Sequence, residues 1–442
     1  MHLSKIMGIE AKTAATNALL VVNPLVWYYI VIIFLQDALA KMSLNSSEST
    51  LIWGLHFSAI IIAALVGAPL TKKIEKRLFL ILWMILGVVS PIALYWVNTA
   101  SMPIIGLLVL LLGVSFGIGM PACMGFYTNG IPIEKRGRIS GVVMLFTFLG
   151  IFTLGNFAIS NPLIIGPILS VWRLLALLTF LTMKSPKEEH NVDTTSYRHI
   201  LNQHSFSLYF IPWVMFSLVN YIAAPFQVSL VGADTAAIMK LIQSAFMATF
   251  ALVGGFLLDF IGRKRIAIVG FVMLGIGAAS LGIYPENVLA GYFNAVVDGI
   301  AWGFLFVLFI LTLWGDLSYS SSSSKYYAIG VLPFFFSKFL EVTMGSYIAE
   351  LIPPESGSGL FSFLSFFLFL AVLPLVYAPE TLPEKTMKDR DLKSYTEKAL
   401  KQAQKDAGKS KKKDSDKAEE EKEEAEESPE DEEARKLAEK YY

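Results

Sequence analysis

Long apolar runs alternate with short polar breaks along the chain as far as residue 378. Twelve runs recur, at 18–40, 50–70, 78–97, 103–127, 139–159, 162–183, 206–228, 236–259, 265–283, 287–314, 327–351 and 357–378. Crossing a bilayer as a helix takes about 20 mostly apolar residues, and each run is near that length. None shows the period-two alternation of a membrane barrel strand. Backbone groups in hydrocarbon must pair within their own segment, so helices are predicted. The pattern implies an all-α integral membrane protein with twelve transmembrane helices.

The breaks are unequal. The longest before the tail, 184–205, separates an N-terminal half (1–183) from a C-terminal half (206–378), each with six runs. Equal halves are how transporters built from two related repeats look in sequence. Residues 379–442 form a tail rich in Lys, Glu and Ala. Within it, 384–407 reads as a charged helix. Segment 408–433 passes from Lys411, Lys412 and Lys413 into an acidic block, a composition that buries no core and reads as a disordered tether.

Composition sharpens this. The 442 residues are 55% hydrophobic and only 16% charged, and the zero net charge hides a split. After Pro379 stand 16 of the 36 Lys/Arg and 20 of the 36 Asp/Glu, so the body is charge-poor and slightly basic. The basic residues mark one side. Lys72, Lys73, Lys76 and Arg77 follow the second run, and Lys135, Arg136 and Arg138 follow the fourth. Arg263, Lys264 and Arg265 follow the eighth, and Lys325 the tenth, while the alternate loops carry little beyond Lys41. Basic short loops stay in the cytoplasm, which puts both termini there in a multi-pass cell-membrane protein.

The single cysteine, Cys123, excludes a disulfide framework, and the five histidines fall at no metal-ligand spacing. No phosphate loop, nucleophile–base set or nucleic-acid signature is present, so neither an enzyme, a cofactor nor a metal is expected.

Charges within membrane helices are costly and usually functional. Asp298 lies mid-way along the tenth run, Lys338 mid-way along the eleventh with Glu341 one turn on, and Asp37 in the outer third of the first. Lys338 can pair with Asp298 across helices or with Glu341 at i,i+3. Asn294, Asp298 and Trp302 repeat every four residues and share a face. Opposed to Lys338 and Glu341, that face reads as a cavity wall; the plainer reading is a structural salt bridge. Asn220 and Tyr221 in the seventh run add polar candidates, as do Asn23, Trp27, Tyr127 and Gln243. Asp37 has Lys41 as a local partner, and Arg173 has no evident one. Gly117, Gly119 and Pro121 mark a close-packed kink or a hinge.

One stretch carries a specific pattern: Gly255-x-x-x-Asp259-x-x-Gly262-Arg263-Lys264 after the eighth run. A degenerate copy follows the second, with Gly67 kept but Thr71 in place of the acid and Ile74 in place of the second glycine. Pro132-x-x-x-Arg136-Gly137 follows the fourth, and Asp316, Lys325 and Gly330 form its blurred counterpart after the tenth. Twelve helices with these loops resemble the major facilitator superfamily. Ser185-Pro186 and Pro379-Glu380-Thr381 resemble the sugar-porter pattern in part.

That resemblance implies a monomeric secondary transporter of a small solute, working by alternating access between two rocking halves in the lipid bilayer. Asp298, Lys338 and Glu341 become lining candidates, with H+ as a coupling ion and a sugar-like molecule or an organic anion as substrate. It also implies a cytoplasmic gate at Gly255, Asp259, Gly262, Arg263, Lys264 and Arg136, where Asp259 and Arg263 tie neighbouring helices. A drug or metabolite efflux pump, and a non-transporting solute sensor signalling through the tail, are the alternatives.

Overall fold

The computed structural model describes residues 11–42, 44–160, 163–182, 195–318, 323–351, 356–383 and 429–441. Residues 183–194 of the linker and 384–428 of the tail lie outside the described residues, and with them the predicted charged helix. The described residues contain helices and no strand. Two compact units are present, 1–382 and 383–442.

In the first unit the helices are α1 Ala11–Ala40, α2 Ser46–Leu70, α3 Lys76–Trp96, α4 Met102–Asn129, α5 Ile133–Ser160 and α6 Ile165–Leu181. They continue as α7 His204–Val231, α8 Ala233–Phe260, α9 Arg263–Ile283, α10 Val288–Leu317, α11 (Ser323–Gly330 and Leu332–Leu351) and α12 Gly357–Tyr377. Ten of these are long and apolar enough to cross a membrane, and α6, of 17 residues, is a shorter apolar helix. Their outer faces stay apolar, with Leu107 66%, Phe152 61% and Leu289 75% exposed. Such faces demand a lipid solvent.

Inside each half the packing repeats. In the first, α1 lies on α5, α2 on α4 and α3 on α6; in the second, α7 lies on α11, α8 on α10 and α9 on α12. The α2–α4 and α8–α10 contacts use the same device. Gly113 and Gly117 of α4, and Gly299 and Gly303 of α10, stand at equal offsets from their helix starts. A Cβ on Gly113 would come 2.6 Å from the His56 carbonyl oxygen, and one on Gly303 2.7 Å from the Ala251 nitrogen. Small residues four apart let backbones meet where side chains would hold them apart.

The halves meet along two seams related in the same way, α5 against α8 and α2 against α11. At the first seam Gly137 and Gly141 face Gly255, so a Cβ on Gly255 would lie 2.6 Å from the Gly137 carbonyl oxygen.

In the second unit one helix is described, Pro429–Tyr441, acidic in its first turn and with Lys440 in its last. That charge order complements the helix dipole.

Candidate functional site

Three helices are broken, and the breaks converge. Helix α4 ends its first part at Gly117 and restarts at Met120, with Pro121 in the new first turn. Helix α10 passes through a π segment, Val307–Thr312, where the Thr312 hydroxyl donates to the Val307 carbonyl at 2.8 Å. Helix α11 is interrupted at Val331, just before Pro333. Proline removes a backbone donor, and a π turn inserts an extra residue, so each break re-aims the side chains around it.

Between these breaks lies a cavity lined from both halves. Phe116, Met120, Pro121 and Met124 come from α4, and Phe306 and Ile310 from α10. Tyr327, Val331, Phe334 and Phe335 come from α11; α1 adds Leu25, Tyr28 and Tyr29, and α5 adds Met144, Thr147 and Phe148. Tyr28 stacks on Phe116 with ring centres 4.4 Å apart, and Phe335 stands edge-on to both.

At the end bearing the basic loops, a buried ionic lattice joins the halves. Asp259, at the close of α8, accepts hydrogen bonds from the Gly137 and Arg138 backbone N–H groups, at 2.9 and 3.0 Å. It also accepts from Arg138 Nε at 3.0 Å and pairs with Arg263 at 3.1 Å. Arg263 continues to Asp316 at 2.9 Å and donates to the Ile133 carbonyl at 2.6 Å. Asp316 takes Arg136 from the other half at 2.5 Å. Asp259, Arg263 and Asp316 are all fully buried. Gly262, at φ 110°, turns the chain into α9, and Glu380 accepts from the Arg263 and Lys264 N–H groups at 2.8 and 3.2 Å. A carboxylate at a helix N-terminus meets its free donors and its positive dipole end.

The residues singled out from the sequence fall into separate places. Gly255, Asp259, Gly262, Arg263, Lys264 and Arg136 all sit in or beside the lattice. Asp298 meets Gln243 of α8 in a short hydrogen bond. Lys338 pairs with Glu341 at 2.7 Å, which decides between its two possible acids. Trp302 packs on Phe216 at 4.6 Å, and the Asn294 side chain lies against Gly277 of α9. Asp37 holds Lys41 at 2.6 Å near the helix end. Asn220 is half-buried in α7, and the Tyr221 side chain lies outside the described residues. Among those whose side chains are described, none lines the cavity. Arg173, without an evident partner in sequence, is buried over the Trp83 ring at 4.5 Å and donates to Asn23 Oδ1 at 3.1 Å.

Two sets of residues carry the site without having been picked out. Asp316 was visible only as an edge of a blurred loop signature, and its partners are set by the fold. The cavity aromatics resemble lipid-facing ones in sequence; Pro121 and Pro333 were their available signal.

No protein-family model and no curated protein matches the chain. Solved structures do resemble it. The proton:xylose symporter XylE of the major facilitator superfamily, bound to 6-bromo-6-deoxy-D-glucose, gives a TM-score of 0.62 at 15% identity, over 84% of this chain and 96% of that one. A variant of the E. coli fucose:proton symporter FucP gives 0.65 at 11%, over 83% and 98%. FucP in the outward conformation gives 0.66 at 12%, over 83% and 98%. The chain therefore has the major facilitator superfamily fold, and it is a multi-pass membrane protein.

Proposed function

We propose that the protein is a secondary transporter that moves a small solute through the central cavity by alternating access. The observation that carries this is the meeting of three broken helices, from both halves, at one cavity above a closed ionic seam. Interrupted helices at mid-depth are how such carriers present a site. The basic loops support a cytoplasmic position for the lattice at the cell membrane. With that side closed, the protein rests away from the cytoplasm, as FucP does in its outward conformation. The six-plus-six division at 184–205, with both termini cytoplasmic, belongs to the same reading, as does function as a monomer. The solved neighbours are proton symporters, and proton coupling here would fall to Asp298, with Glu341 as the second acid.

Reconstitution into liposomes with an internal pH-sensitive dye tests this. Saturable, solute-dependent uptake across a panel of solute classes is the expected result. Uptake of none, together with a cellular response lost when the chain is cut after residue 390, would favour a sensor.

A further inference from the structure

We infer that the cavity takes an uncharged, largely aromatic molecule bearing a hydrogen-bond acceptor, and not a sugar. This rests on the reading of the cavity as the solute site and names the class of solute. Of the 16 described lining residues, 12 have no hydrogen-bonding side chain and none is charged. A charged ligand would find no counter-charge among them. Four hydroxyls remain, and two are committed. Thr147 donates to the Val143 carbonyl at 2.8 Å, and Tyr327 to the Leu311 carbonyl. That leaves Tyr28 and Tyr29.

The Tyr28 hydroxyl is buried, on a residue only 2% exposed, and has no partner among the described residues. Buried hydroxyls are normally paired, so an orphan on a cavity wall calls for an acceptor on whatever fills the cavity. A sugar needs partners for several hydroxyls at once and would leave most of them dry and unpaired. A planar ring suits the walls instead. Phe335 presents its edge to Tyr28 at 5.7 Å, Phe334 is edge-on to Phe306 at 5.6 Å, and Phe148 meets Phe306 at 5.9 Å. Aromatic pairs favour such edge-to-face contacts, and methionines adapt to irregular ring outlines.

The test uses the purified full chain in nanodiscs and tritiated 2-acetonaphthone, a planar aromatic ketone, in a scintillation proximity assay. Saturable binding is expected, about tenfold tighter than that of 2-ethylnaphthalene, which lacks the acceptor. Tyr28→Phe should erase that tenfold preference while its melting temperature stays at the parental value. Phe335→Leu should weaken both probes. L-fucose and D-xylose should displace neither. Displacement by either sugar, no saturable ketone binding, or equal affinity of the parent for the two naphthalenes would each overturn the inference; the last needs no variant to fold. Liposome uptake separates the two readings. Ketone binding with no saturable uptake of any solute in the panel sinks transport and keeps the ligand class. Saturable uptake of a polar solute without ketone binding does the reverse.

Discussion

Asp316 ties the two halves together through two arginines. It accepts Arg136 from one half at 2.5 Å and Arg263 from the other at 2.9 Å, with no exposed surface. Removing one partner of a buried ion pair costs about 3–5 kcal/mol, because the remaining charge stays dry. Here opening the seam would rehydrate the stranded arginines, so the cost is met by a shift in conformation. Asp316→Asn and Asp259→Asn should each move the population towards the form open at the basic end by more than about tenfold, which takes only about 1.4 kcal/mol. Labelling of Met144→Cys, in a Cys123→Ala background, by an impermeant maleimide from that side should accelerate accordingly. Unchanged rates in both variants would refute the gate. Arg173 shows what a search by charge alone overlooks. Its partner is the Trp83 ring at 4.5 Å, and a cation over an aromatic face is worth about 2 kcal/mol when desolvated. Lysine offers no flat face to stack, and it keeps the burial cost of a charge. Methionine discards both, so Arg173→Met should retain more thermal stability than Arg173→Lys. The reverse order in a detergent melt would show that the charge itself is required.

Among the elements, spacing was legible where chemistry is local. Gly255 to Lys264 declared itself because glycine, acid and arginine must fall at set intervals to turn α8 into α9. The cavity did not, because Phe334 and Phe335 face it with the same chemistry that Phe363 and Phe366 turn outward, at 56% and 64% exposure. The degenerate first-half motif has a structural answer that sequence spacing concealed. Among the described residues the Thr71 side chain bonds only within its own turn, to the Ala68 carbonyl at 2.8 Å. The end of the linker spans α2 and α11 instead. The Tyr197 hydroxyl donates to the Leu65 carbonyl of α2 at 2.6 Å, Lys325 of α11 donates to the Thr195 carbonyl, and Tyr326 donates to Gln203 at 2.6 Å. Burial pushes the Tyr197 hydroxyl up to about 12, so it remains a donor at neutral pH. If this strap stands in for the lost acid, Tyr197→Phe should loosen it by one hydrogen bond, about 1 kcal/mol, or about fivefold in opening. Amide exchange across 195–203 reads that directly. Parental protection in the variant would mean the strap is held by the Lys325 and Tyr326 hydrogen bonds and the buried Ile200.

At the scale of the molecule, the duplication legible in twelve apolar runs returns as equivalent helix pairs, yet the halves are not chemically equal. One helix of the second half, α10, spans every functional level. It carries Asp298 against Gln243, the π segment at the cavity and Asp316 in the lattice. Asp298 and Asp316 therefore lie on opposite sides of the π segment of one helix. Glu341 is the weaker coupling candidate. It already holds Lys338 at 2.7 Å, and its side chain is 32% exposed. Asp298 has no cation against it among the described residues; its partners are the neutral Gln243 amide and Trp302. Under proton coupling, Asp298→Asn should abolish the pH dependence of uptake in liposomes while leaving 2-acetonaphthone affinity within about twofold, since the residue lies outside the cavity. Glu341→Gln should keep most of that dependence. If both variants transport with the parental pH profile, no proton is coupled through these acids. If Asp298→Asn also loses ketone binding, the residue shapes the cavity through α10 and does not carry the coupling ion.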